Sequence, residues 1–418
     1  MQNGNQELIP FNHTIDKMAR YLYNLFTIKR YIEQIVMFPF IILGKFIAKR
    51  KPLDKQYDIF FFLPDYAIGG AEKVNAEIIK CFPDKKLIVF FTKKSPNNGT
   101  KHLFDALPIK IVEIHDWTDN KFRYWNNLIY RGVISSYINC QKNKPIVFIG
   151  QCNFGYKITP HINSSVKIIE LIHVFDTKLT WVWAPFVKYI NKRIVVGNIF
   201  LEKYKRCYIQ NGIPKKYLDR FTIIRYCIDF MPDTLFKKDF TLPLKCYYAG
   251  RGGPQKRLWL LFEIMRECKK NNLPIEFKLA GPFKDELPKD FINNNIYIGE
   301  LSAGEGMHQF HKENDILLMT SVFEGFPLVI MEAMCFGAIP LVPNIDAIPE
   351  NIKDGENGFL IEDPTDEKLF VQNAIKKLKE IVKSNNLKNI SNNAFQYAQN
   401  NYSFEKFNSS YRKVFLED

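Results

Sequence analysis

Short apolar runs organise most of this chain, and helical segments separate several of them. From residue 57 onward the runs have the length of buried strands. Strands that alternate with helices pair in parallel, so the pattern predicts α/β domains built on parallel sheets. The predicted strands cover residues 57–63, 86–91, 109–114, 145–149, 167–172, 193–196, 222–225, 244–249, 276–280, 295–298, 316–319 and 339–342.

The alternation is interrupted between residues 231 and 243. Two prolines and a group of charged residues stand there among few periodic apolar positions, which is typical of a linker. A chain of 418 residues is also too long for one hydrophobic core. We therefore predict domains over 57–230 and 244–400, a linker over 231–243, and a C-terminal helix over 401–418.

Residues 1–56 depart from the α/β pattern. They contain nine Lys or Arg against four Asp or Glu, interleaved with aromatic and aliphatic residues. The uncharged apolar run at 35–43 has nine residues, whereas a helix needs about 20 to span a bilayer. Two interpretations stay open: an amphipathic segment that lies in the headgroup layer of a membrane, or a helix packed on the domain surface.

Composition narrows the classes of partner. The net charge of +14 favours an anionic partner, either membrane lipid or a phosphorylated substrate. Nucleic acid is not expected, because the chain contains no recognition-helix, zinc-finger or RNA-binding signature. The eight cysteines form no C-x-x-C pair or His/Cys cluster, which argues against a zinc site and fits a reducing compartment.

The stretch 316–337 carries the strongest candidate chemistry. An apolar strand is followed by a polar loop that ends at Gly325, and helical spacing of apolar residues begins at Phe326. Pro327 suits a first helical turn, where its missing N–H has no intrahelical partner to lose. Free N–H groups and the helix dipole predict an anion site, with Leu328 as its last member.

Two glutamates bracket this predicted turn. Glu324 precedes the helix, and Glu332 lies within it, eight positions further on. That spacing does not put both carboxylates on one face, so a direct acid pair is not expected. Two separated acceptors suit a sugar nucleotide, which has hydroxyls on both sides of its diphosphate. The alternative is a buried helix with one capping and one solvated glutamate.

The stretch resembles the E-x7-E motif of family 4 glycosyltransferases, which are retaining enzymes of the GT-B fold. The likeness covers most of residues 57–418 and extends through the D-G-E-N-G-F-L-I run that begins at Asp354. It implies two Rossmann-like domains that face each other across a cleft. It also implies that the last helix returns to the N-terminal domain.

Two glycine-containing loops extend the resemblance. Gly69 and Gly70 follow the first strand, as in the family's loop that reaches the sugar-donor diphosphate and the acceptor. Gly250, Arg251 and Lys256 lie between a strand and a helix, at the spacing of the family's diphosphate-binding cations. Two cations among glycines suit a diphosphate leaving group. The alternative for Gly69 and Gly70 is an ordinary tight turn between a strand and a helix. The alternative for the loop with Arg251 and Lys256 is a solvated basic loop.

His173 follows the predicted strand 167–172 directly. Ligands of open α/β sheets bind beyond the carboxyl ends of strands, so a catalytic role and a hydrogen-bonded strand-end histidine are both open. The family often has a functional histidine after an earlier strand, where this chain has Gln151.

The resemblance implies transfer of a sugar from a UDP-, GDP- or dTDP-linked donor to a glycan or lipid-linked acceptor, with retention. It implies catalytic roles for Glu324, Arg251, Lys256 and His173, and assigns the ribose to Glu332. The chain contains no D-x-D motif, and we expect neither a metal nor a cofactor.

The basic N-terminal segment favours a cytoplasmic enzyme on the inner face of the cytoplasmic membrane, in bacterial surface-polysaccharide or lipopolysaccharide synthesis. A GT-B sugar-nucleotide epimerase and a non-catalytic membrane-bound scaffold are the alternatives.

Overall fold

The computed structural model describes residues 13–120, 122–175, 180–228, 230–292, 296–301 and 304–417. These residues divide into two compact units. The first comprises the described residues of Met1–Val195, Phe200–Ile223 and Arg412–Asp418, and the second comprises those of Val196–Ile199 and Ile224–Tyr411. The predicted linker, 231–243, lies within the second unit. Residues 1–12 of the predicted N-terminal segment lie outside the described residues.

The first unit is built on a seven-stranded parallel sheet with the order β3-β2-β1-β4-β5-β6-β7. The interior strand β1 (Ile59–Leu63) is buried along its whole length, as the apolar run predicts for a strand covered on both faces. The strands are β1 (Ile59–Leu63), β2 (Leu87–Phe91), β3 (Lys110–Glu113), β4 (Ile146–Gly150), β5 (Lys167–Ile172), β6 (Lys192–Val195) and β7 (Phe221–Ile223).

The helices of this unit include the crossovers between its parallel strands. They are α1 (His13–Val36), α2 (Phe38–Arg50), α3 (Gly70–Lys80), α4 (Lys101–Asp105), α5 (His115–Thr118), α6 (Tyr124–Asn139), α7 (Asn153–Ile158), α8 (Thr180–Trp183) and α9 (Asn198–Asn211).

Helix α2 packs closely on α6 through two glycines. A Cβ at Gly44 would lie 2.0 Å from Ile129 O, and a Cβ at Gly132 would lie 2.2 Å from Ile41 O. Neither contact leaves room for a side chain, so the two backbones touch. Ile41, Gly44 and Ala48 are the buried residues of α2, and the remaining faces point away from α6.

Of the described helices, none is by itself long and apolar enough to cross a membrane. Segments Arg20–Val36 and Phe38–Arg50, which meet at 55°, satisfy that criterion only when taken together.

The second unit has a five-stranded parallel sheet with the order β12-β11-β10-β8-β9. Its strands are β8 (Leu244–Ala249), β9 (Ile275–Ala280), β10 (Ile316–Leu318), β11 (Ile339–Pro343) and β12 (Phe359–Ile361). Its helices are α10 (Leu258–Lys270), α11 (Lys289–Ile292), α12 (Glu305–Glu313), α13 (Leu328–Cys335), α14 (Ile348–Asn351), α15 (Glu367–Val382), α16 (Leu387–Asn401) and α17 (Phe404–Leu416).

Two sequence-based expectations differ from the structure in detail. The helix expected from Phe326 begins at Leu328, and Pro327 is its extended N-cap residue. The predicted strand at 295–298 begins at a residue outside the described ones, and Tyr297 makes an isolated bridge with Leu279 instead. The other predicted strands are confirmed with shifts of one or two residues at their ends.

The last helix changes unit along its length, since Arg412 and the residues after it group with the first unit. Arg412 Nη1 donates to Asp84 Oδ1 at 2.7 Å and to Cys81 O at 2.9 Å. The ring of Phe415 lies 4.6 Å from that of Phe82 and 5.6 Å from that of Phe148. These contacts fix the end of α17 in the core of the first unit.

Candidate functional site

Two strand-to-helix loops of the second unit lie side by side, because β8 and β10 are neighbours in the sheet. Thr320 Oγ1 donates to Lys256 O at 2.7 Å, and Val322 N donates to Gln255 O at 2.9 Å. Gln255 Nε2 returns a hydrogen bond to Phe323 O at 3.0 Å. Residues 250–257 and 319–327 are thus joined by hydrogen bonds into one surface at the carboxyl end of the sheet, here called the laced surface.

Arg257 stabilises the laced surface through hydrogen bonds of its buried side chain. Its backbone is left-handed, with φ +49°, and its side chain is buried. The guanidinium donates to Thr320 O at 2.8 Å, to Ser321 O at 3.2 Å and to Pro364 O at 2.7 Å. Burial lowers the pKa of Arg257, and three carbonyl acceptors compensate for that desolvation. The neighbouring Lys256 is therefore the cation of this pair that remains for other contacts.

Lys256 and Glu324 form an ion pair on the laced surface. Lys256 Nζ donates to Glu324 Oε1 at 2.5 Å, and the two side chains are 13% and 8% exposed. Glu324 N donates to Asp346 Oδ2 at 2.8 Å, which ties the loop to the end of the next strand, β11. A charge-assisted hydrogen bond of this kind is stronger than a neutral one, so the carboxylate is held in place.

The glycine-rich part of the first loop is more open. Arg251 is exposed, and its carbonyl accepts from the hydroxyl of Tyr248. Gly253 N donates to Glu286 Oε2 at 3.1 Å. A Cβ at Gly252 would lie 1.9 Å from Glu286 Oε1 and 2.8 Å from Phe283 Cβ, so glycine is required there. The carboxylate of Glu286 thus already accepts a hydrogen bond from a backbone N–H group of the loop in which the sequence predicts an anion.

The predicted anion site at the start of α13 lies next to Glu324. The N-cap residue, Pro327, has φ −64° and ψ 129°, and no side chain of the described residues caps the helix. Phe326 is buried and its ring lies 5.7 Å from that of Tyr402. Gly325, Phe326 and Leu328 therefore bring backbone N–H groups to the same surface as Lys256, while Pro327, between them, has no N–H.

Glu332 lies one turn further along α13, beside residues that the sequence analysis missed. Its Oε2 is 3.6 Å from His311 Nε2. The other ring nitrogen of His311, Nδ1, lies 2.6 Å from the hydroxyl of Tyr247. Burial raises the pKa of Tyr247, so the phenol stays protonated. His311 lies in a polar helical segment, E-G-M-H-Q-F-H-K-E, and no motif distinguishes it there.

In the first unit, Gly69 and Gly70 lie at the start of α3. Gly69 is the extended N-cap residue, with φ −174°. A Cβ on Gly69 would lie 2.1 Å from Glu72 Oε2. The backbone conformation suits any residue, and the close atom is the far end of a flexible side chain that can move, so neither feature requires glycine at this position.

His173 follows β5 and is buried. Burial lowers its pKa to about 4, so the imidazole is neutral at pH 7. Its backbone N–H donates to Gln151 Oε1 at 3.2 Å, and Gln151 Nε2 donates to Val174 O at 3.0 Å. Gln151, where the family often has a histidine, thus joins the ends of β4 and β5 in a left-handed conformation with φ +48°.

Within the part of the chain that the structure describes, no three His, Cys, Asp or Glu residues are grouped so as to hold a metal ion. A groove of about 640 Å³ runs between α10 and α15, and none of the predicted site residues lines it. Lys256, Glu324 and the residues from Gly325 to Pro327 lie on the laced surface instead, whereas Glu332 lies further along α13.

Both the sequence and the fold are similar to those of known proteins. Residues 236–397 match the family model described as "Glycosyl transferases group 1". An uncharacterized glycosyltransferase of Methanocaldococcus jannaschii, MJ1069, is 22% identical over 391 residues, which cover 87% of this chain and 90% of that protein. The lipopolysaccharide 1,2-N-acetylglucosaminetransferase of Salmonella typhimurium is 28% identical over 131 residues, 28% of this chain and 34% of that protein.

Among solved structures, the pneumococcal O-GlcNAc transferase GtfA in complex with UDP and GlcNAc superposes with a TM-score of 0.68. It is 14% identical, and the match covers 86% of this chain and 99% of that one. The fold is therefore that of the GT-B glycosyltransferases, with two Rossmann-like α/β domains, as the resemblance implied. The residues that match the group 1 family model, 236–397, all lie within the second unit.

Proposed function

We propose that the protein transfers a sugar from a nucleotide-sugar donor to a glycan or lipid-linked acceptor, with retention at the anomeric carbon. The observation that carries the proposal is the Lys256–Glu324 pair beside the start of α13. A cation, a carboxylate and free backbone N–H groups on one surface suit a sugar diphosphate, whose phosphates need positive charge and whose sugar hydroxyls need an acceptor.

Lys256 and Arg251 take the charge of the leaving diphosphate in this proposal. Lys256 is now paired with Glu324, and a bound diphosphate competes for the same ammonium group. When the ammonium turns to the phosphate oxygens, the Glu324 carboxylate becomes available to the sugar hydroxyls. Arg251, which is exposed on the same loop, adds the second charge. Stabilising charge that develops in the transition state is usually the largest catalytic contribution.

The reaction we infer is a front-face displacement. The bond between the anomeric carbon and the diphosphate oxygen breaks, and its electron pair leaves with the diphosphate. The acceptor hydroxyl forms the new bond on the same face, and its proton passes to an oxygen of the departing diphosphate. Glu332 binds the ribose, and Gly250 and the α13 start bind the phosphates. In the first unit, His173 and the Gly69–Gly70 turn contact the sugar and the acceptor.

UDP is the first nucleotide to examine, because GtfA was solved with UDP and GlcNAc. The Salmonella typhimurium relative acts on lipopolysaccharide by its name, which supports a role in surface-polysaccharide synthesis. GDP- and dTDP-linked sugars are the alternatives.

We further propose that the protein works at an anionic membrane surface, in the cytoplasm of a bacterium. Helices α1 and α2 expose a set of large apolar side chains, here called the hairpin surface: Tyr21, Leu25, Ile28, Tyr31, Ile32, Ile35, Val36, Phe38, Phe40, Ile42, Leu43 and Phe46. Exposed cations border it, namely Arg20, Lys29, Lys45, Lys49 and Arg50. Apolar side chains bordered by cations are what an anionic lipid headgroup layer attracts.

Observations in the structure support both interpretations of the N-terminal segment. One face of α2 is packed on α6, as the packed-helix alternative requires, while the hairpin surface is exposed, as the membrane interpretation requires. A firmly attached helix with an exposed apolar face suits a membrane contact.

A donor-hydrolysis and binding screen tests the proposed function. A panel of UDP-, GDP- and dTDP-linked sugars is added to the purified protein, and thermal stability and sugar release are measured. A donor at 100 times its dissociation constant stabilises the fold by about 2.7 kcal/mol. Stabilisation without release of sugar or transfer would favour the scaffold, and inversion at a ring carbon of the intact nucleotide sugar would favour the epimerase.

A further inference from the structure

A buried histidine joins the core of the second unit to Glu332. His311, on α12, is 0% exposed. Its Nδ1 lies 2.6 Å from the hydroxyl of Tyr247, on β8, and its Nε2 lies 3.6 Å from Glu332 Oε2. The ring stacks on Phe336 in a nearly parallel plane, with 6.0 Å between centroids. The imidazole is thus held between a strand, an aromatic ring and a carboxylate.

The hydrogen bond with Tyr247 determines the tautomer that suits this place. When the phenol donates to Nδ1, the proton of the neutral ring lies on Nε2, the atom nearest to Glu332. Among the described residues, His311 Nε2 has no hydrogen-bond partner. A buried N–H without an acceptor is costly, and a movement of roughly 0.7 Å would bring the Glu332 carboxylate to normal hydrogen-bond distance.

We propose that His311, held by Tyr247, is a positioning residue that orients the Glu332 carboxylate toward the ribose of the nucleotide. This inference rests on the proposed function, which gives Glu332 its ribose contact. One carboxylate oxygen accepts from His311 Nε2–H, and the other accepts from a ribose hydroxyl. His311 itself is fully buried, so it acts through Glu332 and does not touch the substrate.

The arrangement explains why a histidine is present in this core. A leucine or phenylalanine would also offer an apolar surface to Phe336 and would not bury two ring nitrogens. A buried polar chain is retained at a functional site when it fixes the geometry of a side chain that binds ligand. Tyr247, His311 and Glu332 form such a chain from β8 to α13.

The test is nucleotide binding measured by calorimetry with UDP, GDP and dTDP. The variants are His311→Phe, which removes both ring nitrogens, His311→Gln, whose amide N–H replaces Nε2–H, and Tyr247→Phe. Tyr411→Phe is the matched control, because Tyr411 is also fully buried and lies in the second unit. Each variant is first compared with the wild type in thermal unfolding.

We expect His311→Phe to raise the dissociation constant of the preferred diphosphate about tenfold, the scale of one hydrogen bond to a charged group. Tyr247→Phe raises it in the same direction, while His311→Gln and Tyr411→Phe stay close to the wild type. In a Glu332→Gln background, His311→Phe has no further effect. The sugar-donor KM follows the dissociation constant, and kcat changes little.

Two results would overturn the role of His311 while leaving the proposed function in place. One is a wild-type dissociation constant in both His311→Phe and Tyr247→Phe. The other is an equal loss with and without Glu332, which is the behaviour of a purely structural residue. If the wild type binds none of the three diphosphates, the proposed function fails, and the positioning role fails with it.

Discussion

Lys256 and Glu324 are 68 residues apart in the chain, yet Lys256 Nζ donates directly to Glu324 Oε1. Each side chain is mostly buried, and each lies on a loop that follows a strand of the same sheet. The pair links the group proposed to take the leaving-group charge to the group proposed to hold the sugar. A variant of either residue therefore affects the other.

Removal of either proposed diphosphate-binding cation should slow turnover strongly. We expect Arg251→Ala and Lys256→Ala each to reduce kcat by roughly 10²-fold, the effect of losing one preorganised charge-stabilising group. Arg266→Ala and Lys270→Ala are matched controls, since both are exposed cations on α10 of the same unit. Steady-state kinetics with the preferred donor are the measurement, and wild-type turnover in both site variants would contradict the assignment.

The two glutamates should differ in the kinetic parameter that they change. The sugar changes shape and charge during transfer, so loss of its contact in Glu324→Gln should mainly lower kcat. The ribose does not react, so loss of its contact in Glu332→Gln should mainly raise the donor KM. Both variants are measured with donor varied at saturating acceptor. If the two phenotypes are exchanged, the donor lies in the opposite direction along α13.

Much of the fold could be predicted because buried parallel strands leave a local signal. The run at 57–63 is apolar at nearly every position, and β1 is buried at nearly the same positions. The packing of α2 also leaves a signal in the sequence. Ile41, Gly44 and Ala48 recur at helical spacing, and two of these three residues are small enough for close backbone approach.

The site could be predicted only in part, because contacts between distant loops leave no local pattern. Lys256 and Glu324 can be predicted because their loops resemble motifs of a known family. Their ion pair cannot, because it depends on β8 and β10 being neighbours in the sheet. His311 and Tyr247 belong to elements with no motif of their own. Their relation to Glu332 depends on how α12 packs against α13, which the spacing of apolar residues does not determine.

Chelation should leave activity largely intact. In the proposed site, Arg251, Lys256 and the backbone N–H groups at the start of α13 supply the positive charge that a metal ion would otherwise bring to the diphosphate. We therefore expect turnover to stay within about twofold after EDTA treatment and dialysis. The control is to add Mg²⁺ or Mn²⁺ back. If EDTA abolishes activity and either ion restores it, the prediction of metal-independent catalysis is wrong.

A half-buried histidine, His161, and a buried one, His173, should make the first unit sensitive to mild acid. Burial lowers the pKa values of His161 and His173 to about 4 each, from an ordinary value near 6.5. The unfolded chain therefore binds protons first as the pH falls. The stability from the neutral imidazoles is fully present above pH 6.5 and is lost as the pH falls from 6.5 toward 4, by about 2 kcal/mol per histidine at pH 5.

Chemical unfolding at pH 7.5 and pH 5 measures this effect. His161→Gln should reduce the difference between the two pH values, whereas His102→Gln, at an exposed position, should not. An unchanged pH dependence in the His161 variant would exclude this histidine as a cause of acid sensitivity.

The hairpin surface should bind anionic vesicles through both apolar contact and charge. An exposed isoleucine that enters the headgroup layer gains about 1.5–3 kcal/mol, and each nearby cation about 1 kcal/mol, which salt screens. We expect the double substitution Ile28→Asp with Ile35→Asp to weaken binding at least tenfold.

Ile209→Asp with Leu369→Asp is the matched control, because it adds the same charge at exposed apolar positions outside the hairpin surface. Cosedimentation with vesicles that contain or lack anionic lipid measures the effect at several salt concentrations. Equal binding of the two double variants, or binding that salt does not weaken, would show that α1 and α2 serve only to pack on the domain.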